Sequence, residues 1–540
     1  MIYLLALVSP FLQGPRVTGP DVLVDVGPAP AGRFGEDVAI DGGLMAVGSP
    51  GSSSNPMAPG TVSLFRLGAT SWQLETRLEA PPGIGSAPAF GMSVDVDQGP
   101  FGEFVIVGAP GAQLTAGGVQ RGAAFVYEFT GAGWTLVSTV LGDGALTAFG
   151  AAVAIDETTA VIGQTDFDGR AFSASRRPAG DWQLDGELPR PGTVFAGADF
   201  GTVVDIEKHL IVVGAPGEDS AGYDSGAAYV YRRTTPSGSS FGLEIRLEHP
   251  SAATVTYQGS DVAVDVTGFG IERVLVGSQD EKAFVWRRDI HSAWSLEALL
   301  TAFDGETGGW GKSVALDGSR LVVGAPWRIG SAPGSGVAMG FTLDSLSAGQ
   351  QGWAPTAMFH PGLAIDEGVG GAVAISGPLV AVGASLFDGP STDSGAVLSY
   401  VTVPRQGLVH CAGRENSVHS TASIAAFGSP FAMEENLGFD VTGLPPGTVG
   451  FLLTSRDRAQ IPGLGGGAGD LCLGGMIARL SLYPQTADPS GNATVILDFH
   501  GLPASVQLVT GSTWSFQWWH RDGGSSPTSN TSHAVELTFL

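Results

Sequence analysis

Carboxylates dominate the side chains here that could do chemistry: 52 Asp and Glu stand against 26 Lys and Arg, a net charge of -26. A carboxylate can ligate a hard cation or work in a pair as general acid and base. The richest short run is Asp95-Val96-Asp97-Gln98-Gly99, with Glu103 beyond it. Alternating acids suit calcium, which takes roughly six to eight oxygens. This run lacks the full set, and Asp and Gly favour turns on their own account, so a structural turn is the better reading. The same holds for the acidic loops at Glu218, Asp219 and Asp224, and at Asp388 and Asp393. Calcium is therefore the one cofactor the sequence leaves room for, and no residue is assigned to it. A carboxylate pair of the glycosidase kind would be assembled across the fold and has no local signature.

The other motifs carry less. Gly305–Ser313 (GETGGWGKS) comes close to a phosphate loop, but the position that needs Gly is Glu306, and Gly305 lies one step too early. There is no G-x-S-x-G elbow and no H-E-x-x-H, and the nine histidines show no metal-ligand spacing. In Trp514–Asp522 (WSFQWWHRD), Trp514, Trp518, Trp519 and His520 could form a sugar-stacking platform. Strand alternation instead puts Trp514, Phe516 and Trp518 on one face as core and turns Trp519 outward. Cys411 and Cys472 do not form a C-x-x-C pair. They pair as a disulfide if the chain is secreted, and remain buried thiols otherwise. No catalytic, cofactor-binding or metal-ligating residue is assigned.

Charge excludes some partners. An acidic surface repels phosphate backbones, so nucleic acid is not expected. The only lysines are Lys208, Lys282 and Lys312, too few and too scattered for an anionic membrane surface. No run reaches the roughly 18 apolar residues that span a bilayer. Residues 1–14 begin with an apolar stretch, Met1–Gln13, that looks like the hydrophobic part of a secretory signal, although the basic segment that normally precedes it is missing.

The elements that must position any site come from an internal repeat. One unit reads aromatic-Gly, an alternating strand, a second strand ending Val-Gly-Ala-Pro, then Gly-Ala-x-x-Val-Tyr. Its best copy is Phe200-Gly201, Ile211–Pro216 and Gly226–Tyr231. The glycine of the second strand recurs at Gly48, Gly108, Gly163, Gly214, Gly277, Gly324 and Gly383. The aromatic starts are Phe34, Phe90, Phe149, Phe200 and Trp310, with two drifted copies at Tyr257-Gln258-Gly259 and Val369-Gly370. A fourth strand opens at Trp72, Trp134, Trp182, Phe241, Trp294 and Trp353. Units of about 50 residues and four strands are propeller blades. Seven sets of three strands meet only six fourth strands, so residues 21–27 are expected to complete the last blade and close the ring. The aromatic of each start is expected to wedge between blades, with the adjacent Gly allowing close backbone approach.

Phe34-Gly35 with Gly48-Ser49-Pro50, Phe90-Gly91 with Gly108-Ala109-Pro110, and Phe200-Gly201 with Gly214-Ala215-Pro216 resemble FG-GAP repeats. That resemblance covers about residues 21–403. It implies a seven-bladed propeller like the head of integrin α chains, a fold also found in secreted bacterial proteins. Such blades often carry calcium between strands one and two; here those loops mostly read as bare turns, Asp41-Gly42-Gly43, Asp156-Glu157-Thr158 and Asp317-Gly318-Ser319.

Beyond a linker at 404–407, residues 408–540 hold about eight short strand candidates separated by Gly, Pro and Asn turns, a β-sandwich pattern. The segments around His410-Cys411-Ala412-Gly413 and Trp514–Asp522 are similar to a terminal module of secreted proteins from planctomycete-like bacteria. The expected whole is all-β: a seven-bladed β-propeller followed by a C-terminal β-sandwich. The expected role is that of an extracellular or cell-surface binding, adhesion or scaffold protein, monomeric, holding a protein or glycan by its propeller loops. An enzyme acting on extracellular polysaccharide at the propeller channel is the alternative.

Overall fold

The repeat's alternating apolar strands, each bounded by a Gly turn, fold as antiparallel sheets of four strands. A computed structural model describes residues 16–17, 21–24 and 32–538 except 52–59, 69–70, 82–88, 114–118, 143–146, 166–168, 191–196, 220, 237, 251–254, 268–270, 290–292, 303–307, 328–335, 346–350, 360–367, 389–393, 404–407, 412–413, 428–437, 464–468, 489–490, 497–501, 504, 509–511 and 523–527. The signal expected over residues 1–14 lies outside the described residues. The chain divides into two compact units, one reaching Thr402 and one beginning at Val403. The described residues contain no helix.

In the first unit, six sheets have four strands in sequence order. The fourth sheet is typical: Val204–Glu207, Leu210–Ala215, Ala227–Arg233 and Phe241–Glu248, paired through Ile206↔Ile211, Val213↔Tyr229 and Tyr229↔Arg246. The seventh sheet takes Val373–Ser376, Leu379–Ala384 and Ala396–Val403 from the end of the repeat region. Asp21–Val24 pairs antiparallel with its third strand, through Val22↔Leu398 and Val24↔Ala396. The first strands of successive sheets stand side by side, and Val373–Ser376 stands beside Val38–Asp41, which closes the ring.

The repeat residues explain the seams. Phe34, Phe90, Phe149, Phe200 and Trp310 are fully buried. Each packs on a ring of its own third strand, as Phe90 does on Phe125 at 5.4 Å and Phe200 on Tyr229 at 5.3 Å. The strand-two glycines leave no room for a side chain. A Cβ on Gly48 would lie 2.2 Å from the Gly91 carbonyl oxygen of the next sheet, and one on Gly383 would lie 2.2 Å from Gly35 O across the closing seam. At the two drifted starts, Gln258 and Val369 occupy the buried wedge position. There the ring comes from the end of the preceding blade's fourth strand instead: His249 packs on Phe284 at 5.0 Å, and Phe359 on Tyr400 at 4.9 Å.

The second unit is a sandwich. Leu408–His410, Thr528–Thr538, Thr513–Asp522, Val449–Ser455 and Ala478–Thr486 form one sheet in that order. Ser423–Phe427, Gly438–Thr442 and Ala493–Ile496 form the other. Trp514, Phe516 and Trp518 enter the shared core with Phe439, Leu452 and Val535. Two details depart from the sequence pattern. Residues 506–508 are not a strand, although Val506 and Leu508 are buried. A hairpin, Asp457–Pro462 with Asp470–Gly474, was not expected. Cys411 and Cys472 form a disulfide across 5.9 Å between Cα atoms, tying this hairpin to the module's first segment.

Candidate functional site

The first strand of every blade is an edge strand, so a row of its N–H groups has no strand to bond. Buried N–H groups need an acceptor. The seven first strands line a central channel of about 690 Å³, and side chains three, five and seven residues after each repeat start project into it. At these positions stand Asp37 and Asp41, Asp95 and Asp97, Asp156, Asp205 and Glu207, Asp261 and Asp265, and Asp317. Among the described residues, Lys312 is the only cationic residue of the lining.

These carboxylates reach sideways to the next blade. Asp37 accepts the Val94 N–H at 2.8 Å, Asp95 that of Ile155 at 2.7 Å, Asp205 that of Val264 at 2.7 Å, and Asp261 that of Val314 at 2.7 Å. Most also accept the N–H of the following residue, as Asp95 does from Val96 at 2.8 Å. Nearer the strand-one-to-two turns the pattern repeats: Asp41 accepts from Gln98 at 2.6 Å, Asp156 from Lys208 at 2.6 Å, Asp265 from Gly318 at 3.0 Å, and Asp317 from Gly377. Hydroxyls substitute twice: Ser93 accepts from Val153 at 3.1 Å, and Ser376 from Gly42 at 3.0 Å across the closing seam. Blade two illustrates the result, for the N–H groups of Val94, Val96 and Gln98 all end on carboxylates.

Removal from water, only partly offset by Lys208 beside Glu207 and Asp156 and by Lys312 near Asp261, pushes these acids up. Burial raises Asp37 to about 6, Asp261 to about 7 and Asp205 to about 8, against the lowering pull of the backbone N–H groups. Asp95 rises well above its ordinary value by burial and then by the facing Asp205. Burial also takes Asp97 and Asp156 to about 6 and Glu207 to about 7. Groups that hold a proton near neutrality are suited in principle to general acid work.

The residues singled out in the sequence fall as follows. Asp95 and Asp97 belong to this staple set, and Glu103 bonds Arg66 and Gln98 instead. Asp41, Asp156 and Asp317 sit at turns as expected, but as acceptors for the next blade, a role the turn reading missed. A signal for it was present: acids at alternate positions on an otherwise apolar strand. Glu218 is buried against the Tyr229 hydroxyl, which donates to it at 2.8 Å, while Asp219 accepts from the Asp224 N–H at 2.7 Å. Asp393 lies outside the described residues. Among the described residues, no three His, Cys, Asp or Glu side chains converge on a point that could hold a metal ion. In the near-miss phosphate loop, Gly308, Gly309 and Trp310 donate their N–H groups to Glu281 at 3.0 Å, so this anion nest holds the chain's own carboxylate. In the sandwich, Trp519 lies on the face away from the core, stacked on Phe451 at 4.6 Å, with Arg479 over the Phe451 ring. His520 is fully buried, which removes it from the proposed stacking platform.

Comparison with known proteins follows this geometry. The FG-GAP repeat family matches residues 194–231 and 294–338, which cover most of blade four and the junction of blades five and six. The chain carries FG-GAP repeats within an all-β fold of four-stranded antiparallel sheets. No curated protein matches its sequence. Among solved structures, Raptor of Chaetomium thermophilum is similar at a TM-score of 0.45 and 11% identity, over 73% of this chain and 29% of that one. This chain thus spans under a third of Raptor's length. The periplasmic gluconolactonase PpgL of Pseudomonas aeruginosa is similar at a TM-score of 0.41 and 11% identity, over 60% of this chain and 86% of that one.

Proposed function

We propose that this protein is a secreted or cell-surface binding or scaffold protein that holds a protein or glycan with the loops on one face of its propeller. The observation that carries this reading is where apolar side chains meet water. Antiparallel strands alternate in direction, so the strand-two-to-three and blade-to-blade connections emerge on the same face. On that face Tyr223, Trp327 and Val255 are 67%, 57% and 50% exposed, joined by Val119, Met92 and Leu386. The opposite connections expose only Phe101 and Leu67 among the described residues. Exposed aromatic residues concentrated on one rigid face are the usual anchors of an interface. The Cys411–Cys472 disulfide supports an oxidising, extracytoplasmic setting. No described helix is long and apolar enough to cross a membrane.

A glycan and cell-envelope protein array with the full chain tests the reading. A ligand should appear, and the double variant Tyr223→Ala/Trp327→Ala should weaken it at least about tenfold, the scale of one anchor residue. No ligand across the panel, or a ligand indifferent to both residues, would overturn it. One observation favours a second reading, an enzyme on extracellular polysaccharide: the channel's carboxylates are raised toward neutrality. Hydrolysis or lysis of a polysaccharide that Asp205→Asn and Asp261→Asn abolish would establish it. Turnover unaffected by both would end it.

A further inference from the structure

Four channel acids, Asp37, Asp95, Asp205 and Asp261, stand three or five residues after their repeat starts, away from the strand-one-to-two turns. Each is fixed by the N–H of a neighbouring blade and cannot swing away to water without leaving that donor unbonded. They also face one another. Asp95 is repelled by Asp205 and Asp37, Asp205 by Asp261, and Asp261 by Asp37. The remaining inner strands answer them at this depth with Ala152, Ala154, Ser313, Ala315, Ala372 and Ala374, which offer no charge. Toward one mouth the facing groups are Glu36 and Lys312; toward the other, Asp41, Asp97, Asp156, Glu207, Asp265 and Asp317, with Lys208 bonded to Glu207. Two ammonium groups cannot balance this set.

We propose that the channel is a proton-loaded clasp, which tightens the ring at mildly acidic pH and loosens it as pH rises past neutrality. A neutral carboxyl still accepts the neighbouring blade's N–H through its carbonyl oxygen, so the seams persist while the repulsion is absent, and only the weaker local bond from the following residue's N–H, held by the other oxygen, is given up. Ionisation restores the local bond but sets like charges against one another across the channel. The folded ring binds these protons more tightly than the unfolded chain does. Folding is therefore favoured at low pH, and the advantage is lost as pH climbs from the ordinary carboxylate range through 6 to 8, the folded-state values of Asp37 and Asp205.

The test is thermal unfolding of the full chain at fixed salt, between about pH 5.5 and pH 8.5, where ordinary surface carboxylates stay ionised. The midpoint of the natural chain should fall by several degrees across this range. The variant Asp95→Asn/Asp205→Asn keeps one carbonyl acceptor for the neighbouring blade at each staple, gives up the bond from the following residue as a protonated carboxyl does, and removes two titrating groups, so its midpoint should fall by less than half as much. A flat profile for the natural chain, or a parallel fall in the variant, would overturn the proposal. Should the variant not fold, infrared absorption of the natural chain decides: a protonated-carboxyl band present at about pH 6 and reversibly lost by about pH 8.5 supports it, and no such band at about pH 6 overturns it.

Discussion

Two groups of buried carboxylates in this propeller behave in opposite ways. In the channel, Asp205 is held by backbone N–H groups, and burial pushes it up to about 8. At the seam between blades four and five, Glu272 is also buried, yet it falls to about 2. Burial acts on both. Glu272 is pulled down in spite of it, because His209 and the Arg232 guanidinium bond to it, Arg232 at 3.0 Å, with Arg288 close by. The lesson is that hydrogen bonds from amides position a buried acid, whereas a counter-charge is needed to keep it ionised.

The sharpest break of this comparison is Glu272→Ala. It strands Arg232 and Arg288 at the seam and should cost about 3 kcal/mol at neutral pH in denaturant unfolding. Because the folded value of Glu272 is depressed, its contribution is present above the ordinary carboxylate value and fades as pH falls toward 2; the gap between variant and natural chain should narrow over that window. Asp205→Asn, measured the same way, should behave in the reverse sense. It should be close to neutral at about pH 5 and stabilising by about 1 kcal/mol or more above its folded value, since a tenfold difference in proton affinity between folded and unfolded chain corresponds to about 1.4 kcal/mol. Smallest is Ser376→Ala, which removes the acceptor of the Gly42 N–H without removing a partner of a carboxylate. It should cost about 1 kcal/mol at every pH. A pH-dependent loss there would mean that the staples act through charge rather than through acceptance.

Much of the ring was legible in the sequence because its seams repeat. An aromatic-Gly start and a strand-two glycine have one packing solution, and Gly48 against Gly91 recurs as Gly383 against Gly35. What did not repeat was hidden. At Gln258 and Val369 the wedge ring is supplied from nine and ten residues upstream, by His249 and Phe359, a compensation visible only once the blades are side by side. The channel acids were not legible as a set: Asp95 reads as a loop acid, and Asp37, Asp205 and Asp261 draw no notice inside apolar strands until the ring places them around one channel. In the sandwich, alternation placed Trp514, Phe516 and Trp518 correctly in the core. It missed the Asp457–Pro462 hairpin, whose first strand is exposed along most of its length and so carries no apolar period. It gave His520 no place, although one more step of the same alternation puts it on the face of Trp518, and it is fully buried.

The central claim is that the aspartates of the channel serve the blade after their own. Amide hydrogen exchange followed by mass spectrometry reads this directly, comparing the natural chain with Asp95→Ala. Protection should be lost in the Phe149–Asp156 strand of blade three, where Ile155 loses its acceptor, as well as at Val96. Exchange that rises only within Val94–Gly99, leaving blade three as protected as before, would contradict the account.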